Sequence, residues 1–180
     1  MVDTEQLIIE ALQGNSEAFI LLIQKDMEKM YKAGWAILGN DEDVADAIQE
    51  TILSAFERLS QIRGKESNIF TAWLMRIMVN KCYDIQRSKK GLIFMEIVPD
   101  APIVETEYEN VEWKEALSNL EEKYRLILLL YYVEGFKTRD IGQILEIPEA
   151  TVRTRLARGR KKLFVLYHEE SKETTKRRLI

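Results

Sequence analysis

Apolar side chains recur every three or four residues along most of the chain, which is the spacing of an amphipathic helix. In the stretch 16–38, for example, Phe19, Leu22, Ile23 and Met30 share one helical face. Alternating runs of Val, Ile and Thr, which indicate strands, are missing, as are Asn-Gly turns. The pattern therefore predicts an all-α protein. The predicted helices cover residues 3–13, 16–38, 41–59, 69–89, 111–120, 121–134, 138–145 and 148–166.

Local signals add detail at particular positions of these helices. Ser16 is a suitable N-cap for the second helix, and Thr138 for the seventh. Phe56 is expected to point inward from the third helix, on the stripe that contains Val44, Ile48 and Ile52. The stretch 126–133 is apolar almost all round, which predicts a buried helix.

A segment without helical periodicity divides the predicted helices into two groups. It contains Pro99 and Pro102, and residues 91–113 hold six acidic residues and no basic one. The sequence therefore predicts two small helical domains joined by an acidic flexible linker, with a charged tail that frays. The predicted boundaries are 1–90 for the first domain, 91–110 for the linker, 111–168 for the second domain and 169–180 for the tail.

Charge is distributed unevenly along the chain. The net charge of −4 argues against a nucleic-acid partner. However, residues 1–57 carry three basic and twelve acidic side chains, whereas residues 148–164 carry six basic and one acidic. Residues 76–90 carry five basic and one acidic. This distribution predicts local basic faces on an acidic body, a pattern typical of proteins that bind nucleic acid.

Several functional classes lack the residues that they need. Cys82 and His168 are the only cysteine and the only histidine, so neither a disulfide framework nor a site built from these residue types is expected. A helical carboxylate-based hydrolase would need a Glu-x-x-His pair or a comparable catalytic set, which is absent. No apolar run approaches the roughly 18 residues of a membrane span, and the N-terminus lacks signal-peptide features. We therefore expect a cytoplasmic protein that is not an enzyme, with no cofactor, metal, small-molecule substrate or membrane insertion.

The C-terminal part has the pattern of a helix-turn-helix. A short helix at 138–145 is followed by a break at Glu146-Ile147 and by a basic amphipathic helix that starts near Pro148. Its apolar stripe can pack on the short helix, while the opposite face can enter the major groove, where arginine reads guanine. The alternative is a solvated basic surface helix. The candidate DNA contacts are Glu149, Thr151, Arg153, Thr154, Arg155, Arg158 and Lys161.

A polar stripe also runs along the predicted helix at 69–89. Four polar residues share about one quadrant of the helix, and Trp73 borders them. Such a stripe can bind phosphates and stack an unpaired base. The alternative is that Trp73 is a core aromatic residue and that Asp84 and Arg87 form an i,i+3 salt bridge. The candidate nucleic-acid-binding residues of this helix and of the basic loop 60–68 before it are Arg63, Lys65, Trp73, Arg76, Asn80, Asp84 and Arg87.

The third predicted helix presents Asp46, Gln49 and Glu50 on one partly exposed face. From composition alone, such a face is usually only solvated.

Taken together and in this order, these motifs resemble the extracytoplasmic-function group of the sigma-70 family of RNA polymerase sigma factors. The departures are few: Thr51-Ile52 stands where Val-Phe is usual, Lys137 replaces a serine N-cap, and Gly142 and Glu146 replace an alanine and the glycine of the turn. The resemblance lies in Glu17-Ala-Phe19, in the stretch 42–56, in Phe70-x-x-Trp73-Leu-x-Arg76-Ile-x-x-Asn80-x-x-x-Asp84-x-x-Arg87, and in Thr151-Val-Arg-Thr-Arg155-Leu-x-Arg158-Gly-Arg160-x-x-Leu163.

The resemblance implies a sigma factor that directs core RNA polymerase to promoters. Asp46, Gln49 and Glu50 would dock on the clamp coiled coil of the largest polymerase subunit, and region 4 would contact the flap. The helix at 70–87 and the preceding loop would bind the −10 element and a flipped base, and the helix at 148–164 would read the −35 element. The linker would thread the polymerase channel, and an anti-sigma factor is implied as a further partner.

A dimeric helix-turn-helix regulator that is not a polymerase subunit is the alternative function. It would explain the C-terminal pattern but leaves the motifs between residues 41 and 87 without a role.

Overall fold

The computed structural model describes residues 3–62, 64, 66–92 and 111–177, with side chains at 3–62, 64, 66–89 and 114–166. All regular elements in these ranges are helical, which confirms the all-α class. Arg63, Lys65 and residues 93–110 of the predicted linker lie outside the described residues. The helices are α1 (Thr4–Leu12), α2 (Ser16–Leu38), α3 (Asp41–Arg58), α4 (Ser67–Leu92), α5 (Val111–Ser118), α6 (Glu122–Leu128), α7 (Thr138–Leu145) and α8 (Glu149–Arg177).

The chain divides into two compact units. The first contains α1–α4, and the second is built around α5, α6 and α8. In the first unit α2 packs against α1, α3 and α4, and α3 packs against α4. Three of these helices meet at Gly34, where an added Cβ would lie 2.7 Å from Met78 Cε and 3.1 Å from Val44 Cγ1. Glycine therefore sets how closely α2 can approach α3 and α4.

Asparagine side chains cap the N-termini of α2 and α3 in the first unit. Asn15, not Ser16, is the N-cap of α2, because its Oδ1 accepts hydrogen bonds from the backbone N–H groups of Glu17 and Ala18. Asn40 caps α3 in the same way through the N–H of Asp43. The prediction of Ser16 was wrong by one residue, since Ser and Asn both satisfy free N–H groups and stand side by side here.

The buried face of α3 differs from the predicted one. Phe56 is 57% exposed, and its ring forms a T-shaped pair with that of Phe19, with the ring centroids 5.3 Å apart. Thr51 and Ser54 are buried instead. The hydroxyl of Thr51 donates to the Ala47 carbonyl at 2.6 Å, so this polar side chain is satisfied by its own helix and can face the core.

In the second unit, α6 packs against α8. The crossing is close at Gly159, where an added Cβ would lie 3.2 Å from Leu128 Cδ1. After α6 the chain forms a π-helical turn over Leu129–Val133, closed by the bond from the Glu134 N–H to the Leu129 carbonyl. The predicted buried helix therefore stops early, and Tyr132, within this turn, is 55% exposed.

The last helix is longer than the sequence predicted. It continues to Arg177, so the predicted fraying tail is helical over most of its length. Its composition of Glu, Lys, Arg and Thr lacks apolar periodicity, but helix formers in unbroken sequence extend an existing helix without a new nucleation step.

Candidate nucleic-acid interface

The break between α7 and α8 is a tight turn in which Glu146 adopts the left-handed conformation. Its φ is 54° and its ψ 38°, and it is the only non-glycine residue with positive φ in the described part of the chain. The N–H of Ile147 donates to the Gly142 carbonyl at 3.0 Å, and an added Cβ at Gly142 would lie 2.9 Å from the Ile147 carbonyl oxygen. The departures at 142 and 146 therefore belong to one turn, which glycine at 142 allows to pack closely.

The first residue of α7 is linked to the first residue of α8. Thr138 Oγ1 donates to Glu149 Oε1 at 2.6 Å, and Arg153 Nη2 donates to the same oxygen at 2.6 Å. The hydrogen bond from Thr138, followed by that from Arg153, lowers the pKa of Glu149. The prediction that Thr138 caps α7 was wrong, because Lys137 is at the N-cap position and makes no side-chain capping bond.

The outer face of α8 is basic, as its sequence predicted. Val152 and Leu156 are buried, with Ile141 and Ile144 of α7, and Leu163 is half-buried. The Thr154 hydroxyl donates to the Ala150 carbonyl at 2.9 Å. The helix thus has an apolar inner stripe and an accessible cationic outer surface. On that surface Arg153, Thr154, Arg158 and Lys161 are exposed, and Glu149, Thr151 and Arg155 are half-buried.

The polar stripe of α4 is also accessible. Arg76, Asn80, Asp84 and Arg87 are exposed and follow one another at helical spacing. Trp73 is half-buried, with its ring centroid 5.9 Å from that of Phe70, so it packs on the core and keeps an accessible part. Asp84 and Arg87 form the i,i+3 ion pair that was the alternative explanation for their spacing.

A buried carboxylate that sequence reasoning missed fixes α4 against α2. Asp26 is 2% exposed and accepts hydrogen bonds from Thr71 Oγ1 at 2.7 Å and from Lys29 Nζ at 2.8 Å. Thr71 lies two residues before Trp73 at the start of the stripe. The available signal was an aspartate within the apolar stripe between Ile23 and Met30.

Two ion pairs connect α3 to α4, one of them from the acidic face. Asp46, Gln49 and Glu50 are all exposed. Glu50 Oε2 lies 3.1 Å from Lys81 Nζ, and Asp43 Oδ1 lies 2.7 Å from Lys89 Nζ. The pairing of early α3 with late α4 shows that these helices run antiparallel.

Within the described ranges, no group of three or more histidine, cysteine or carboxylate side chains is placed to hold a metal ion. Cys82 is fully buried. None of the described helices is long and apolar enough to span a membrane.

Two family models match the two units. Sigma-70 region 2 matches residues 22–91, which include the α3 face and the α4 stripe, and Sigma-70, region 4 matches residues 111–163, which include the turn and the basic face of α8. The chain belongs to the sigma-70 family. Sigma factors direct RNA polymerase to promoters at the start of transcription, which confirms the function expected from the sequence. They are regulatory subunits rather than catalysts.

Relatives of this sigma factor include members of the extracytoplasmic-function (ECF) group. The chain is 27% identical over 175 residues to the ECF RNA polymerase sigma factor SigW of Bacillus subtilis, covering 87% of this chain and 92% of the relative.

Solved structures of similar fold include CnrH in complex with the cytosolic domain of CnrY, with a TM-score of 0.69 and 23% identity over 92% of this chain and 97% of that one. They also include the sigma factor RpoE in complex with the anti-sigma factor NepR from Bartonella quintana, with a TM-score of 0.68 and 19% identity over 85% of this chain and 96% of that one.

Proposed function

We propose that this sigma factor divides promoter recognition among three helices: α3 docks on core RNA polymerase, α4 binds the −10 element, and α8 reads the −35 element. The observation that carries the proposal is the cationic outer face of α8, which stands opposite a buried stripe in a tight helix-turn-helix. A helix that is cationic on one side and apolar on the other can insert its cationic side into the major groove while its apolar side packs against its own domain.

At the −35 element, the side chains on the outer face of α8 divide into base-reading and phosphate-binding groups. Arg155 and Arg158 are long enough to reach guanine edges with two hydrogen bonds, whereas Lys161 suits a phosphate. Glu149 is already occupied by Thr138 and Arg153, so its role is to orient Arg153 rather than to read a base.

At the −10 element, α4 offers the groups that a single strand needs. The accessible part of Trp73 can stack on an unpaired base, and Asn80 can hydrogen-bond to a free base edge. Arg76 and Arg87 supply positive charge for phosphates. To bind a phosphate of the DNA strand, Arg87 would leave its ion pair with Asp84. Arg63 and Lys65 are proposed to add to this charge from the preceding loop.

On α3, the exposed Asp46, Gln49 and Glu50 present a carboxylate-rich surface to a basic partner. We assign this partner as the clamp coiled coil of the largest polymerase subunit, with region 4 on the flap and the acidic linker in the polymerase channel.

Because polymerase and promoters are cytoplasmic, the proposal places the protein in that compartment. An anti-sigma factor is a further proposed partner, supported by the complex of RpoE with NepR.

The experiment is transcription in vitro with purified core polymerase on a promoter library, using Arg158→Ala and Arg160→Ala as matched variants. Arg160 carries the same charge on the same helix, but its Nη1 is 3.4 Å from the Tyr132 hydroxyl, away from the proposed DNA face. We expect Arg158→Ala, like Arg155→Ala, to weaken promoter use by about 1–3 kcal/mol and Arg160→Ala to have a much smaller effect. Equal effects of the two variants would contradict the assignment of α8.

Docking is tested by gel filtration of the chain with core polymerase. We expect co-elution at one to one, lost in Asp46→Arg and weakened in Gln49→Ala while the helical circular dichroism is unchanged. A free dimer that binds a palindromic site without polymerase would instead support a helix-turn-helix regulator.

A further inference from the structure

One ion pair connects the two surfaces of region 2 that the proposed function assigns to different partners. Glu50 belongs to the acidic face of α3, and its Oε2 lies 3.1 Å from Nζ of Lys81 on α4. The side chain of Glu50 is 59% exposed and that of Lys81 is 25% exposed. The pair is therefore open to solvent, and either member can exchange its partner at small cost.

Lys81 lies at the edge of the polar stripe of α4. It directly follows Asn80 and precedes Asp84 by three residues. At helical spacing it therefore lies beside the stripe, on the side that faces α3. Its ammonium group is carried on four methylene groups, which allow it to turn from α3 toward a strand that runs along the stripe. Lys81 was not among the candidate residues from the sequence.

Docking changes the environment of this lysine. A basic partner that binds Asp46, Gln49 and Glu50 brings a cation to the carboxylate that Lys81 now occupies. Two cations at one exposed carboxylate repel each other, and the partner is held by the neighbouring acidic residue as well. Lys81 is then left without an anion at the edge of the DNA-binding stripe, where a phosphate can replace the carboxylate.

We propose that Lys81 is an additional phosphate-binding residue of the α4 surface, which Glu50 holds in the free sigma factor and which docking on polymerase releases to DNA. The inference rests on the proposed function, since it requires a basic partner on α3 and a nucleic-acid strand on α4. It makes polymerase binding and strand binding mutually favourable, because each removes a competitor of the other.

The first experiment measures binding of the full chain to a labelled oligo(dT) 15-mer at low salt by fluorescence anisotropy. Glu50→Gln removes the carboxylate that holds Lys81, and Asp46→Asn is the matched control, because it removes one charge from the same helix without breaking the pair. We expect Glu50→Gln to bind about fivefold more tightly than Asp46→Asn, and this difference to vanish when Lys81→Gln is added to both. Equal binding of the two single variants, or a difference that persists without Lys81, would overturn the proposal.

The second experiment uses the holoenzyme on promoter DNA. Lys81→Gln should leave co-elution with core polymerase intact and should reduce the slope of log Kd against log salt by about 0.7, the value for one phosphate contact to a single strand. Lys25→Gln is the control, since Lys25 bonds to Thr4 of α1. If wild type co-elutes and transcribes while Lys81→Gln behaves like Lys25→Gln, the assignment of Lys81 is wrong and the proposed function stands. If wild type does neither, the proposed function itself is wrong.

Discussion

Glu146 is a single residue held in a conformation that glycine adopts without cost. A left-handed backbone brings the Cβ of an L-residue close to its own carbonyl, which costs about 1–2 kcal/mol. The turn tolerates this cost because the α7 carbonyl of Gly142 accepts the Ile147 N–H immediately afterwards. Strain therefore remains in the helix-turn-helix of this sigma factor.

Replacing Glu146 with glycine should remove that strain. We expect Glu146→Gly to stabilise the turn between α7 and α8 by about 1 kcal/mol, measured as slower hydrogen–deuterium exchange of α7 and α8 amides. Gln143→Gly, at an exposed site inside α7, should have the opposite effect of about 1 kcal/mol because glycine loses more entropy in a helix. Faster exchange in Glu146→Gly than in wild type would show that the Glu146 side chain matters more than its backbone.

At the scale of elements, one exposed carboxylate links α8 to the start of α6. Glu121 lies 2.7 Å from Lys123 Nζ and 2.6 Å from Lys162 Nζ, and Lys162 also lies 5.3 Å from the centroid of the Tyr124 ring. The hydrogen bonds from Lys123 and Lys162 lower the pKa of Glu121 to about 2, and the pair with Glu121 raises that of Lys162.

This pairing gives a pH dependence of definite sign. Since the pKa of Glu121 is lower in the folded state, its stabilising effect is complete above pH 4.5 and is lost as the pH falls toward 2. We expect Lys162→Met to raise the pKa of Glu121 toward 4.5, without reaching it because Lys123 remains, in an NMR titration of the carboxyl carbons. Lys161→Met should leave this titration unchanged; an equal shift in both variants would mean that general charge, not the direct pair, sets the pKa.

The N-terminus of α7 lacks the side-chain cap that the sequence led us to expect. We predict that Lys137→Ser will add a capping hydrogen bond and stabilise the second unit by about 1 kcal/mol, measured by thermal unfolding. Lys137→Ala is the control, because it removes the same lysine without supplying a cap. If the alanine variant gains as much as the serine variant, the benefit comes from losing the lysine.

Elements with a simple apolar period were predictable from the sequence, and those with satisfied polar groups inside were not. The helices of both units follow from their spacing, as does the basic face of α8. The buried face of α3 does not, because Thr51 bonds to its own helix and can replace an apolar residue. Asp26 escaped prediction for a related reason: its partner Thr71 is 45 residues away in sequence, and only the packing of α2 on α4 brings them together.

The whole molecule combines two small basic surfaces with an acidic body. Residues 1–57 contribute twelve acidic and three basic side chains, and such a body repels the phosphates that α4 and α8 are proposed to bind. Association with polymerase is therefore expected to be required for stable promoter binding.

We expect the isolated chain to bind promoter duplex no more tightly than nonspecific complexes do, with a Kd of about 1 μM or weaker at physiological salt. The measurement is fluorescence anisotropy with labelled promoter DNA, repeated with the assembled holoenzyme, which should bind far more tightly. Nanomolar binding by the chain alone would contradict the view that its acidic body opposes DNA.

The continuous course of α8 has a practical consequence. Its 29 residues make a rod about 43 Å long, with the half that is proposed to read DNA at one end and Arg177 at the other. A dye attached near that far end would turn together with the reading half. Energy transfer from such a dye to labelled DNA would thus report the angle at which the helix enters the groove, while every side chain proposed to touch DNA stays in its native form.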